Sequence, residues 1–170
     1  MFIVLKPLRL ALKALLAQSS PRQMSLGLAL GVLVGLVPKG NLLAVFLGVF
    51  LAATRVNLGI AAAAIVAVTF ASTLLDPLSD RLGSWLLTMP ALQNVWTQLY
   101  NAPVMPWTAF NNSVVLGSFV IGLLAVYPVH RCSRPVFEKY SKVVGPWARR
   151  FWLTRVLLGA EWADRLGTAG

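Results

Sequence analysis

Residues 24–53 read MSLGLALGVLVGLVPKGNLLAVFLGVFLAA. Two apolar runs, Met24 to Val37 and Leu42 to Ala53, are joined by Pro38-Lys39-Gly40-Asn41. A perpendicular helix needs ~20 apolar residues to cross a hydrocarbon core of ~30 Å, and each run is shorter than that. The stretch therefore predicts a short helical hairpin, either re-entrant or spanning a locally thinned bilayer. Gly27, Gly31 and Gly35 recur at spacing four and leave a flat groove that a neighbouring backbone can approach. Ala29, Ala44 and Gly48 are small too, so the two arms are expected to pack on each other through Gly27, Gly31, Gly35 and Gly48.

Upstream, Ser19-Ser20-Pro21 is a helix-start signal, a hydroxyl cap followed by proline at the first helical position. Before it, residues 1–20 place Lys6, Arg9 and Lys13 on one stripe and Leu5, Leu8, Leu12, Leu15 and Leu16 on the other. That pattern predicts an amphipathic helix lying in the headgroup plane. The same three cations interrupt any continuous apolar h-region, so this is not a signal peptide of the usual kind.

Downstream, Arg55-Val56-Asn57 breaks the apolar character and Leu58 to Leu75 follows, predicting a span over 57–75 that ends at Asp76-Pro77. From Leu82 to Val129 there is no formal charge. Trp85, Trp96, Tyr100 and Trp107 sit there among Pro90, Pro103 and Pro106, which predicts short interfacial helices across 76–112. A second long span is expected at 113–129, left at His130-Arg131. The tail, 131–170, repeats Phe137, Tyr140, Val144, Trp147 and Phe151 at three and four, with Gly145-Pro146 expected to break it. Trp147, Arg149, Arg150 and Trp152, with Lys6, Arg9 and Lys13, are candidate membrane-surface residues.

Composition supports this fold class, an all-α integral membrane protein with a membrane domain over 21–130 and its hairpin at 21–54. The chain of 170 residues is 58% hydrophobic and 12% charged, where a soluble domain carries about a quarter charged. Fifteen Lys and Arg stand against five Asp and Glu. Their placement excludes a nucleic-acid reading: Lys6, Arg9, Lys13 and Arg22 precede the first apolar run, and eight more lie from Arg131 onward. Basic ends flanking apolar spans follow the positive-inside pattern, which predicts a multi-pass membrane protein with both termini cytoplasmic.

An enzyme is not expected. His130 and Cys132 are the only His and Cys, so no usual His/Cys metal cluster or disulfide can form, and neither has an obvious partner for a nucleophile–base pair. No cofactor is expected. Asp76 and Asp80 can cap a helix at Pro77, pair with Arg81 or bind a cation, and capping is preferred. At the hairpin tip, Lys39, Gly40 and Asn41 offer an anion or lipid-headgroup site beside a helix N-terminus; the other reading, a tight turn whose Lys39 snorkels to the interface, is preferred. Arg55 and Asn57 allow a similar pair of readings, headgroup ligands or an anchor and a helix cap.

Ser20-Pro21-Arg22-Gln23, the glycine ladder ending in Val37-Pro38-Lys39-Gly40-Asn41, and Arg55-Val56-Asn57 before a long span resemble the bacterial domain-of-unknown-function 2062 family over roughly residues 19–81. Asp76 stands where that family more commonly has Asn, and Lys39 is not standard at the tip. The resemblance implies no established activity. It does imply a small membrane protein often encoded beside a larger membrane-anchored one. The expected function is thus a non-enzymatic component that anchors or assists a larger envelope protein in lipid handling or transport, in contact with phospholipid. The rival is a small transporter or exporter subunit acting as a homo-oligomer.

Overall fold

The structure is a computed structural model, and it describes residues 20–148, with side chains through Lys142. The expected N-terminal amphipathic helix, with Lys6, Arg9 and Lys13, lies outside the described residues, as do Arg149, Arg150 and Trp152. Trp147 falls in a described helix, without its side chain. The described chain is all-helical: α1 (Pro21–Leu36), α2 (Leu42–Ala53), α3 (Leu58–Ser72), α4 (Asp76–Thr88), α5 (Gln93–Asn101) and α6 (Ser113–Ala148), with short 3-10 turns at Pro90–Leu92 and Met105–Thr108.

Each helix in the first half starts where local chemistry says it should. Ser20 accepts from the Gln23 N–H while the Gln23 side chain accepts from the Ser20 N–H, a reciprocal capping box with Pro21 at the first position. Asn41 Oδ1 accepts from Ala44 N and Asn57 Oδ1 from Ile60 N, each at 2.9 Å. A side-chain oxygen at this position satisfies a backbone donor that the helix itself leaves unpaired. Asn112 does the same for α6, accepting from Val114 N and Val115 N.

α1 is the central helix, and it meets a different neighbour on each side. Its glycine face lies on α3: a Cβ added at Gly27 would stand 2.6 Å from the Asn57 carbonyl oxygen, one at Gly31 2.6 Å from the Ala61 carbonyl, and one at Gly35 2.8 Å from the Val68 Cβ. The contacts advance in the same direction along both helices, so α1 and α3 are parallel. The opposite face of α1 meets α6, with Leu33 over Gly122 and the Ser25 hydroxyl on His130 Nδ1 at 2.9 Å. These contacts run in opposite senses, so α6 is antiparallel to α1. The parallel arrangement corrects the expectation that the ladder joins the two hairpin arms. A Cβ at Gly48 would meet nothing within 4 Å, so Gly48 belongs to no contact of this kind. Helix α2 reaches the core instead through Leu43, Leu47 and Leu51, a stripe at spacing four that joins Leu33, Val34, Val37, Ala61 and Val115.

The two expected long spans are not both present. Helix α3 has 15 residues and turns by 84° into α4, whereas among the described residues Ser113–Lys142 of α6 is the single unbent helix long and apolar enough by length and composition to cross a membrane. The segment 76–112 is not simply a row of surface helices either. Helix α4 packs against the start of α6, where added Cβ atoms on Gly83 and Gly117 would overlap the carbonyls of Ser113 and Ser79 respectively. Small residues at spacing four on both helices permit that approach. The 131–170 tail also begins as part of another element, because α6 continues unbroken through Pro128, Pro135 and Gly145-Pro146 to Ala148. A proline removes one helical N–H and crowds the carbonyl four residues before it. Ending the helix at each of these prolines would leave several backbone carbonyls and N–H groups without helical partners, against the one N–H that each proline removes.

Candidate functional site

Two ends of the bundle bring polar side chains together. At the first, the α1–α2 turn, Lys39 Nζ donates to the carbonyls of Val34 (2.7 Å), Gly35 (3.3 Å) and Val37 (2.6 Å). Its ammonium has three hydrogens, and three carbonyls receive them. The side chain therefore folds back over the C-terminal end of α1, where a cation meets both unpaired carbonyls and the negative end of the helix dipole. Thr69 Oγ1 donates to the Gly35 carbonyl from α3, at 3.3 Å. Asn41 closes the turn, donating to the Pro38 carbonyl while capping α2, and Gly40 takes φ +94°, a backbone conformation that favours glycine.

Lys39, Gly40 and Asn41 thus form a tight turn in which the ammonium caps the end of α1. An anion would have to compete with three carbonyl partners already in place. Replacing Lys39 by Met should lower stability by about 1 kcal/mol, the worth of a cation at a helix C-terminus. Thermal unfolding in mild detergent reads this directly. An unchanged midpoint together with lost anion binding would return Lys39 to the ligand role.

At the other end, α1, the α2–α3 connection and the middle of α6 converge. The Asn57 N–H donates to the Gln23 carbonyl at 3.2 Å, tying the start of α3 to the first turn of α1. Asn57 is buried and Arg55 exposed. Sequence reading found no partner for His130, and the structure supplies one 105 residues away in Ser25. Ser25 is fully buried, and its hydroxyl also donates to the Arg22 carbonyl at 3.1 Å. With its one proton so used, the hydroxyl is left to accept, which pairs it with the Nδ1–H tautomer of the His130 ring. The pair is an interhelical tie; a buried hydroxyl held on both sides has no access to a substrate. Arg22 and Arg131 flank it and are exposed, as Arg55 is.

The acidic residues take other places than expected. Leu75, not an aspartate, occupies the position before α4, and Asp76 lies in the first turn, where its charge suits the helix dipole. Asp80 accepts a hydrogen bond from the Ser113 hydroxyl and so closes the α4–α6 crossing. No sequence feature pairs these two residues; what was legible and went unread is the small-residue spacing of Ser79/Gly83 and Ser113/Gly117. Cys132 is exposed on α6.

Over residues 7–143 the sequence matches the family model DUF2062, described as an uncharacterized protein conserved in bacteria. The chain belongs to this family. The match extends past the 19–81 segment on which the resemblance rested, and takes in α4, α5 and most of α6. The crossing of α4 on α6 and the Ser25–His130 tie therefore lie inside the DUF2062 region. An uncharacterized protein of Treponema pallidum (strain Nichols) is 28% identical over 134 residues, covering 79% of this chain and 83% of its own. No solved structure matches this DUF2062 chain.

Proposed function

We propose that the protein is a non-enzymatic component of the bacterial inner membrane that anchors or assists a larger envelope protein in lipid handling. The observation that carries this reading is the apolar surface left over after the bundle has packed. On α2, Val45, Phe46, Val49 and Phe50 face outward; on α3, Val66 and Phe70; on α6, Leu123, Leu124 and Tyr127, with Phe70 79% and Tyr127 74% exposed. Large apolar side chains left exposed in such number on three helices call for lipid or another protein to cover them. The α1–α3 and α4–α6 crossings are built of close glycine, alanine and serine contacts, the packing that suits helices when lipid removes the hydrophobic drive between them.

In this reading the Arg22/Arg55/Arg131 end is cytoplasmic and the α1–α2 turn lies at the outer side. The register of α6 on α1 supports that depth: Ser25 faces His130 and Leu33 faces Gly122, so the Lys39–Asn41 turn comes level with the first turn of α6. A single Cys at Gly40 in a Cys132→Ser background should then react with a membrane-impermeant thiol reagent from outside intact cells. Labelling only after permeabilisation would reverse the orientation, and protection on both sides would make the hairpin re-entrant.

The transporter reading finds less support, because three polar side chains that could line a path are engaged within the bundle. Lys39, Asn41 and Thr69 all bond to nearby carbonyls. Anchoring is tested by extraction in mild detergent followed by native mass measurement. The protein should emerge with phospholipid and a larger protein in fixed stoichiometry; a chain that always runs alone and lipid-free would end the proposal, and a lipid-free homo-oligomer would revive transport.

A further inference from the structure

We propose that Arg22, Arg55 and Arg131 form one binding site for a phosphate-bearing anion, supplied by the headgroup of an anionic phospholipid. The lipid source rests on the membrane reading above; the anion chemistry does not. The three arginines come from distant parts of the chain, and two hydrogen bonds bring them to one end of the bundle. Asn57 N–H on the Gln23 carbonyl holds the Arg55 connection beside the first turn of α1, which carries Arg22. Ser25 on His130 holds the same turn of α1 against the part of α6 that carries Arg131.

Three further observations favour an anion there. All three arginines are exposed. None has an ion-pair partner among the described residues: Glu138 is engaged by Arg134 at 3.0 Å, and Asp76 and Asp80 belong to α4, toward the opposite end. Helices α1 and α3 are parallel and both begin here, so the positive ends of two helix dipoles add to the three guanidinium charges. Like charges drawn together by folding, with no counter-charge, repel one another unless an anion is bound. A guanidinium donates through a planar fork that matches a phosphate, so arginine suits the role better than lysine would. Positive-inside anchoring alone asks for cations on this side of the membrane. It does not ask for them to converge from three segments.

The test uses the full chain in neutral detergent micelles, with binding read by native mass spectrometry. The probes are dihexanoyl phosphatidylglycerol, dihexanoyl phosphatidylcholine and inorganic phosphate. Near a charged interface each arginine is worth about fivefold in affinity, so the triple variant Arg22→Gln/Arg55→Gln/Arg131→Gln should bind the phosphatidylglycerol about 100-fold more weakly. A control triple, Arg81→Gln/Lys139→Gln/Lys142→Gln, removes as much charge from exposed positions on α4 and farther along α6 and should cost no more than about threefold. Equal losses in the two triples would mean diffuse surface charge and overturn the site, as would a wild type that does not distinguish the two lipids. Inorganic phosphate displacing phosphatidylglycerol at equal concentration would keep the anion site and overturn the lipid source. If the triple variant loses its helical circular dichroism, the single variant Arg55→Gln, on an exposed connection, decides: about fivefold weaker binding supports the site, unchanged binding overturns it.

Discussion

Replacing Gly117 by Leu should separate α4 from α6 and lower stability by 3 kcal/mol or more, on the order of the most severe overpacking substitutions. The reason is what a side chain would strike. At Gly117 it meets the Ser79 carbonyl and the Gly83 backbone N, and neither can rotate away as a flexible side chain would. One whole helix must move, and its movement uncovers Ser79 and Gly83, the buried residues of α4 that lie on this crossing. The Asp80–Ser113 hydrogen bond goes with it. Unfolding of the purified protein in mild detergent, followed by circular dichroism, should show the lower midpoint. A Gly117→Leu protein that melts with the wild type would mean that α4 does not cross α6 in this way.

The second expectation is a reversal of sign between two glycines that look equivalent in the sequence. Gly31→Ala places a Cβ 2.6 Å from the Ala61 carbonyl and 2.8 Å from the Ala64 Cβ, so α1 and α3 must part; about 2 kcal/mol should be lost. Gly48→Ala meets open space on α2 and replaces the poorest ordinary helix former with the best, a gain of up to about 1 kcal/mol. The same unfolding measurement compares them. Were Gly48→Ala the damaging one, the ladder would join the two hairpin arms after all, and the parallel pairing of α1 with α3 would be wrong.

Much of the fold was legible because it is written in neighbouring residues. Ser20-Pro21, Asn41 and Asn57 announce helix starts, since a cap acts on N–H groups two or three residues away and needs nothing from the rest of the chain. Pro38 and Gly40 likewise mark the turn. The glycine ladder was legible as a close-packing face, and that is what Gly27, Gly31 and Gly35 make. Its partner was not legible, because a flat glycine groove accepts any backbone with small residues, and α3 offers Ala61 and Ala64 where α2 offers Ala44 and Gly48. The candidate site was legible only as a pair of readings, because the charge of Lys39 suits either an anion at the start of α2 or the free carbonyls at the end of α1. Only the folded turn places its ammonium on those carbonyls.

By itself the sequence determined the all-helical class, the positions of the caps and breaks, the scarcity of charge and the placement of cations toward the ends, all properties of composition or of residues within one helical turn. Only the tertiary structure decided that α1 lies between α3 and α6, that the chain bends by 84° after α3, that Ser25 meets His130, and that Arg22, Arg55 and Arg131 share one end. Such choices depend on which faces fit at close range. With interfaces made of glycine, alanine and serine, the fit is decided by backbone shape, which no pattern of side-chain types records.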